Sequence, residues 1–148
     1  MQKKVYLCTR IMIYFLSLGS NISPRHRFID EACRLLNERC GTILRRSSDY
    51  FSMPVGYVSE HEYLNIGVVL ESPMTPMELL LATQQIEREL GRTCKNHYSD
   101  RTIDIDLLQA FDAQGREIII QTETLTLPHP RMQEREFVTI PLGEIRDV

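Results

Sequence analysis

The sequence predicts an α+β protein: a mainly antiparallel sheet with helices packed on it. Three observations carry that expectation. β-Branched and aromatic residues run at strand length over Ile11–Leu18 and Tyr63–Glu71. Helical spacing of apolar residues recurs in two stretches, each opened by a proline-containing start signal and closed by a glycine. Strict alternation then returns at Ile103–Leu108, the pattern of a strand with two different faces. With 148 residues, 43% hydrophobic and 25% charged, the chain has ordinary globular usage and a length that suits one domain, expected over 1–148.

The elements follow in order. Ile11–Leu18 reads as a strand buried on both faces, stopped by Gly19-Ser20-Asn21. Ser23 as N-cap and Pro24 at the first helical position open a helix through Ile29, Ala32, Cys33 and Leu36 to Gly41. Thr42–Ser52 reads as one strand and Tyr63–Glu71 as the next, with Gly56 and a charged loop between. Thr75-Pro76-Met77-Glu78 is a capping box, and its helix runs through Leu79, Thr83, Ile86 and Leu90 to Gly91. Ile103–Leu108 follows, then a short strand Glu117–Gln121 paired across the Asp112–Gly115 turn. The proline-bearing tail Leu125–Val148 reads as mostly loop or short helix. This order is that of the ferredoxin-like split β-α-β sandwich, with helices on one sheet face.

Charge and composition exclude several classes. A formal net charge of −3 lacks the basic footprint of a nucleic-acid binder. No apolar run reaches the ~20 residues of a membrane span. Lys3-Lys4 and the apolar residues after them do not lead to a small-residue cleavage site. The expectation is a cytoplasmic protein with neither nucleic-acid nor membrane partners. Cys8, Cys33, Cys40 and Cys94 lack zinc-site spacing and read as free thiols.

The sharpest chemical signal is Arg101-Thr102-Ile103-Asp104-Ile105-Asp106-Leu107. Alternation sends Asp104 and Asp106 to one face, about 6.6 Å apart at Cα, where they can converge on a hard cation such as Mg²⁺. Arg92, Lys95 and Arg101, with Arg131 and Arg135 near His129, supply guanidinium and ammonium groups suited to phosphate oxygens. Acidic pairs flanked by arginines suit phosphoryl transfer. The pattern alone leaves three other readings open: a solvated strand face, a different metal-dependent phosphotransferase or phosphohydrolase, and a non-catalytic small-molecule sensor.

Five motifs occur in register: Leu18-Gly19-Ser20-Asn21; Tyr63-Leu64-Asn65; Gln84-x-x-Glu87 followed by Gly91-Arg92; Arg101 through Leu108; and Leu127-Pro128-His129-Pro130-Arg131 with Arg135-x-Phe137-Val138-x-x-Pro141-Leu142-x-Glu144-Ile145. From Ile13 to Ile145 the chain resembles the 6-hydroxymethyl-7,8-dihydropterin pyrophosphokinase family. That resemblance implies Mg²⁺-dependent transfer of pyrophosphate from ATP to the pterin hydroxymethyl oxygen, releasing AMP, a step of folate biosynthesis, by a protein that is usually monomeric. It implies that Asp104 and Asp106 hold two Mg²⁺ ions. Gln84, Glu87, Arg92, Arg101, Thr126, His129 and Arg135 fall on ATP-contacting positions, with Arg92 and Arg101 acting on the transferring group. The pterin positions are Ser52, Met53, Val55, Tyr63, Asn65, Tyr98 and Phe137. Tyr98 and Phe137 would stack on the ring faces and Asn65 would meet its donor–acceptor edge. Gly19 and Asn21 serve the turn and take no ligand role.

The sequence also departs from the family. Thr93–Asp100 is shorter than the usual loop, with Tyr98 in place of Trp and Asp100 in place of Pro, which is expected to loosen the approach to Arg101. Met53 in place of Pro is expected to leave the pterin wall less rigid.

Overall fold

A computed structural model describes residues 11–92 and 99–146. The elements are β1 (Met12–Ser20), α1 (Arg25–Arg39), β2 (Thr42–Arg46), β3 (Tyr50–Ser52), β4 (Tyr63–Ser72), α2 (Pro76–Glu89), β5 (Asp104–Phe111), β6 (Ile120–Gln121), β7 (Thr126–Leu127), a 3-10 turn (Met132–Glu134) and α3 (Glu136–Arg146). The main sheet has the order β2-β4-β1-β5, antiparallel throughout, with β3 also on β4. This is the expected ferredoxin-like α+β arrangement.

Alternation along the strands sorts the two faces. Tyr14, Leu16 and Leu18 of β1, Leu64, Ile66, Val68 and Leu70 of β4, and Ile105 and Leu107 of β5 point into the main core. There they meet Ile29, Ala32 and Leu36 of α1 and Leu79 and Ile86 of α2. Each such Leu, Ile or Val side chain, fully withdrawn from water, contributes about 1.5–3 kcal/mol before entropy is charged against it. The capping box forms: Glu78 N–H donates to Thr75 Oγ1 at 3.3 Å and Thr75 N–H to Glu78 Oε1 at 2.8 Å, an arrangement worth about 1 kcal/mol.

The opposite face carries a smaller core of Phe15, Val69 and Leu108 under Met132, Val138, Leu142 and Ile145. A bulge builds part of it. Leu16 pairs with Leu107 but Phe15 with Gln109, so one residue of β5 is extra. The reset alternation buries Ala110 in the main core and sends Phe111 to this face, edge-on to Phe15 at 5.5 Å.

Four local expectations change. The tail forms an 11-residue helix, α3, with Pro141 inside it. Buried Val138, Pro141, Leu142 and Ile145 form a helical stripe whose packing offsets the missing proline N–H. Gly67 of β4 makes the approach possible, because a Cβ there would sit 3.3 Å from Leu142 N and from Ile145 Cδ1. Thr42–Ser52 divides into β2 and β3: Ser47 N–H still donates to Gly67 O at 2.9 Å, but the return bond and those of Ser48 go to side chains. Gly67 N–H donates to Ser47 Oγ at 2.8 Å, and Ser48 N–H and Oγ–H donate to Glu144. Helix α1 begins at Arg25 with Pro24, not Ser23, at the cap position; its ψ of 107° is still extended. Its carbonyl already accepts from Phe28 N–H at 3.2 Å. Finally, Glu117–Gln121 is not a continuous partner of β5. Only Glu117 bridges to Phe111, and Ile120–Gln121 pairs with Thr126–Leu127.

Candidate active site

One half of the α3 face remains uncovered. Register sets its floor: Gly19 of β1 lies between Asn65 of β4 and Asp104 of β5, and Ser17 lies between Gly67 and Asp106. These residues are short or polar, so the floor is a depression rather than a core. Gly19 is required by close approach, because a Cβ there would sit 3.1 Å from Asn65 Oδ1 and 3.4 Å from Tyr63 Cδ1.

The walls come from three segments. Ser52 ends β3 and Met53, Val55 and Tyr57 follow it; Arg101 precedes β5; Arg135 and Phe137 open α3. The Arg135 guanidinium lies over the Phe137 ring at 5.6 Å, a cation–π contact that orients both. Asn65 is buried, and its Nδ2 donates to Tyr50 O at 3.0 Å and Ser52 Oγ at 2.9 Å. Both its protons are thereby committed, which turns the amide oxygen toward the Gly19 side. Burial, then the bond to Tyr57, pushes the Tyr63 phenol well up from its ordinary range, so it stays a neutral donor.

Asp104 is held from two directions. Arg92 Nη1 donates to its Oδ1 and also reaches Glu87 Oε2 at 3.3 Å, while Arg101 Nη1 donates to Asp104 Oδ2 at 3.3 Å. Glu87 in turn accepts from Ile105 N–H at 2.7 Å. Glu87 and Arg92 are only 2% and 6% exposed. They lie beneath the floor as a buried pair whose charges require each other. Arg92 thus fixes the Asp104 carboxylate from below, and Arg101 from the cleft side.

A second recess adjoins the first through Asp106, which lines both. It is bounded by Leu80, Ile105, Leu107, Thr126 and His129. His129 Nδ1 accepts from Arg131 N–H at 3.1 Å, which leaves the ring proton on Nε2. Gln84 is half-buried one turn beyond Leu80 on α2 and lines neither recess.

The structure therefore brings Ser52, Met53, Val55, Tyr63, Asn65 and Phe137 into one cleft with Arg101, Asp104, Asp106 and Arg135. Thr126 and His129 stand across Asp106 from it. Lys95 and Tyr98 lie outside the described residues. Sequence reasoning missed Ser17 on the floor, Tyr57 on the wall, and a rim network of Asn21, His61 and Asp100. Asp100 does not loosen the approach to Arg101; it is bonded to Asn21, Tyr57 and His61.

Could the carboxylates hold a hard cation? Among the described residues no three His, Cys, Asp or Glu cluster as a closed metal cage. Two carboxylates on one strand face beside an open cleft leave the other coordination positions to water and phosphate oxygen, which is how Mg²⁺ is usually held. The donor set fits.

Oxygen donors, guanidiniums and an aromatic slot sharing one open sheet face place the chain among enzymes that move phosphate groups. Comparison makes this particular. The profile of 7,8-dihydro-6-hydroxymethylpterin-pyrophosphokinase (HPPK) matches residues 15–147, and the chain belongs to that family. A 2-amino-4-hydroxy-6-hydroxymethyldihydropteridine pyrophosphokinase of Bacillus subtilis is 43% identical over 134 residues, covering 90% of this chain and 77% of the relative. The Porphyromonas gingivalis protein of the same name is 43% identical over 136 residues, covering 90% of each. Among solved structures, Plasmodium falciparum HPPK-DHPS wild type with STZ-DHP superposes with a TM-score of 0.66 at 15% identity, over 90% of this chain and 39% of that one. This chain spans about two fifths of that longer protein, and the likeness shows the fold. The family comprises ATP-dependent pyrophosphokinases acting on a hydroxymethyldihydropterin in folate synthesis, and the chain is an enzyme of that kind. Among the described residues no helix is long and apolar enough to cross a membrane.

Proposed function

We propose that this enzyme transfers the terminal pyrophosphate of ATP to the hydroxymethyl oxygen of 6-hydroxymethyl-7,8-dihydropterin, that AMP is the second product, and that the reaction depends on two Mg²⁺ ions at Asp104 and Asp106. The observation that carries the reading is the position of Asp106 at the junction of the two recesses. A polyphosphate reaching from the Thr126–His129 recess into the aromatic-walled cleft would pass both carboxylates.

On this reading the pterin lies against Phe137, with Asn65 Oδ1 accepting from its amino edge and Ser52, Met53, Val55 and Tyr63 closing the slot. Tyr98 would supply the second ring face. Bound Mg²⁺ would neutralise the phosphates and lower the pKa of the attacking hydroxyl. Arg92 keeps the Asp104 carboxylate in place from beneath, and Arg101 and Arg135, which both line the cleft, would present guanidinium donors to the phosphate oxygens. Thr126 and His129 line the nucleotide side, while Gln84 lies outside both recesses and Glu87 acts from beneath the floor by holding Arg92 and the Ile105 N–H. Positioning and fixed charge do most of the work in such transfers, so no general base is needed. On this reading its partners are ATP and the pterin, residues 1–148 make up one pyrophosphokinase domain, and the enzyme acts as a cytoplasmic monomer.

The test is product analysis. Incubated with ATP, the pterin and Mg²⁺, the enzyme should form AMP and pterin diphosphate in equal amounts, and neither without the metal. ADP as the product, or undiminished turnover in chelator, would contradict the proposal.

A further inference from the structure

Asp100 stands immediately before Arg101, and its carboxylate joins three segments at the rim of the cleft. Oδ1 accepts from Asn21 Nδ2 at 2.9 Å and from the Tyr57 hydroxyl at 3.3 Å, and Oδ2 accepts from His61 Nδ1 at 2.5 Å. Asn21, buried just beyond β1, clasps the next residue: its Oδ1 accepts from Arg101 N–H at 2.7 Å and its backbone N–H donates to Arg101 O at 3.0 Å. Its second amide proton goes to His61 O at 3.0 Å. On the far side, Tyr57 meets the Tyr63 hydroxyl at 3.1 Å, and both tyrosines line the cleft.

The proton directions are consistent along this chain. Tyr63 stays protonated and can donate to Tyr57, which then donates to Asp100, so each bond polarises the next. The carboxylate stays ionised: the bond from His61 holds its pKa below the usual range, with Ser59 and Asn21 adding to the effect. Arg25 ties the same loop to α1 through Glu62 O at 2.9 Å. What the network holds is functional ground on both sides: Met53 and Val55, more than half exposed, on the loop, and Arg101 on the strand approach.

We propose that Asp100 is a positioning residue that locks the 53–62 loop to the Arg101 segment, so that filling the pterin slot and aligning the Arg101 guanidinium become one event. The inference rests on the pyrophosphokinase reading of this cleft. It differs from a plain structural role because a rim carboxylate with a 27% exposed side chain adds little to global stability. Its effect should fall on geometry at the reacting groups, where small displacements cost rate.

Steady-state kinetics of Asp100→Ala and Asp100→Asn, with ATP and the pterin, test this. Asn keeps an acceptor for Asn21 and Tyr57 and can donate to neutral His61. Asp100→Ala should lower kcat and raise the pterin KM, each about tenfold, while the Kd for a non-hydrolysable ATP analogue and the melting temperature stay near wild type. Asp100→Asn should recover most of the loss, and adding Tyr57→Phe to Asp100→Ala should cost nothing more. Wild-type kcat and pterin KM in Asp100→Ala would overturn the inference. So would equal impairment of Ala and Asn, or a loss that merely follows a fall in melting temperature. If the wild-type enzyme itself made no pterin diphosphate, the functional reading would fail first.

Discussion

Two halves of one sheet face, built from the same strands, meet opposite fates. In one half Phe15, Val69 and Leu108 are apolar and lie under Val138, Leu142 and Ile145 of α3. In the other, Ser17, Gly19, Asn65, Asp104 and Asp106 occupy the same pleat positions a few residues along and stay open to the cleft. Gly67 marks the boundary, near enough to α3 that a Cβ there would press on Leu142 N. The difference is one of side chain alone. Where the face is apolar, burial draws a helix onto it; where it is short and charged, desolvation would cost too much and the face stays available for ligands.

That contrast predicts a separation of activity from stability. The largest effect should come from Asp106→Ala, which removes a charge from the open half. Turnover should fall about a thousandfold or more, with a melting temperature near wild type; a fully active variant would break the contrast. Leu142→Ala, in the covered half, should do the reverse, costing about 2–5 kcal/mol in denaturant unfolding with kcat retained per folded molecule. Gly67→Ala sharpens the boundary. Its Cβ would push α3 outward at about 1–3 kcal/mol, and because Arg135 and Phe137 open that helix, the pterin KM should rise as well. Gly19→Ala should raise the pterin KM with little change in stability, since its Cβ meets Asn65 Oδ1 rather than a packed helix.

The smallest effect lies on the other side of the sheet. Arg39 Nη2 donates to Glu89 Oε1 at 2.8 Å, tying α1 to α2, and holds the Glu89 carboxyl down to about 2 from an ordinary 4.5. A depressed carboxyl contributes stability above its ordinary pKa and loses it as pH falls toward the lowered value. Glu89→Gln should therefore slightly flatten acid unfolding between those two values and leave the neutral-pH rate untouched.

Local signals carried much of this into the sequence. Alternation alone puts Asp104 and Asp106 on one face, and the Thr75–Glu78 box marks its helix start because capping involves residues three apart. What stayed hidden depends on distant partners. The break after Arg46 comes from Ser47 and Ser48 meeting Gly67 and Glu144, which no neighbour in sequence announces. Helix α3 was obscured because Pro128, Pro130 and Pro141 favour a loop locally, and its stability comes from the sheet beneath it. Asp100 reads as a loop residue until Asn21, Tyr57 and His61, 79, 43 and 39 positions away, close around it. Within the cleft, the resemblance named most of the contributing residues, but not Ser17 or Tyr57, nor that Arg92 and Glu87 sit under the floor and Asp106 between two recesses.

Calorimetric titration of wild-type enzyme and Asp106→Ala with a non-hydrolysable ATP analogue, with and without Mg²⁺ and then with the pterin, tests the open half most directly. Wild type should bind the nucleotide in a metal-dependent step and then the pterin, and Asp106→Ala should lose the metal-dependent step. Nucleotide binding of equal strength without Mg²⁺, or unchanged in Asp106→Ala, would contradict it.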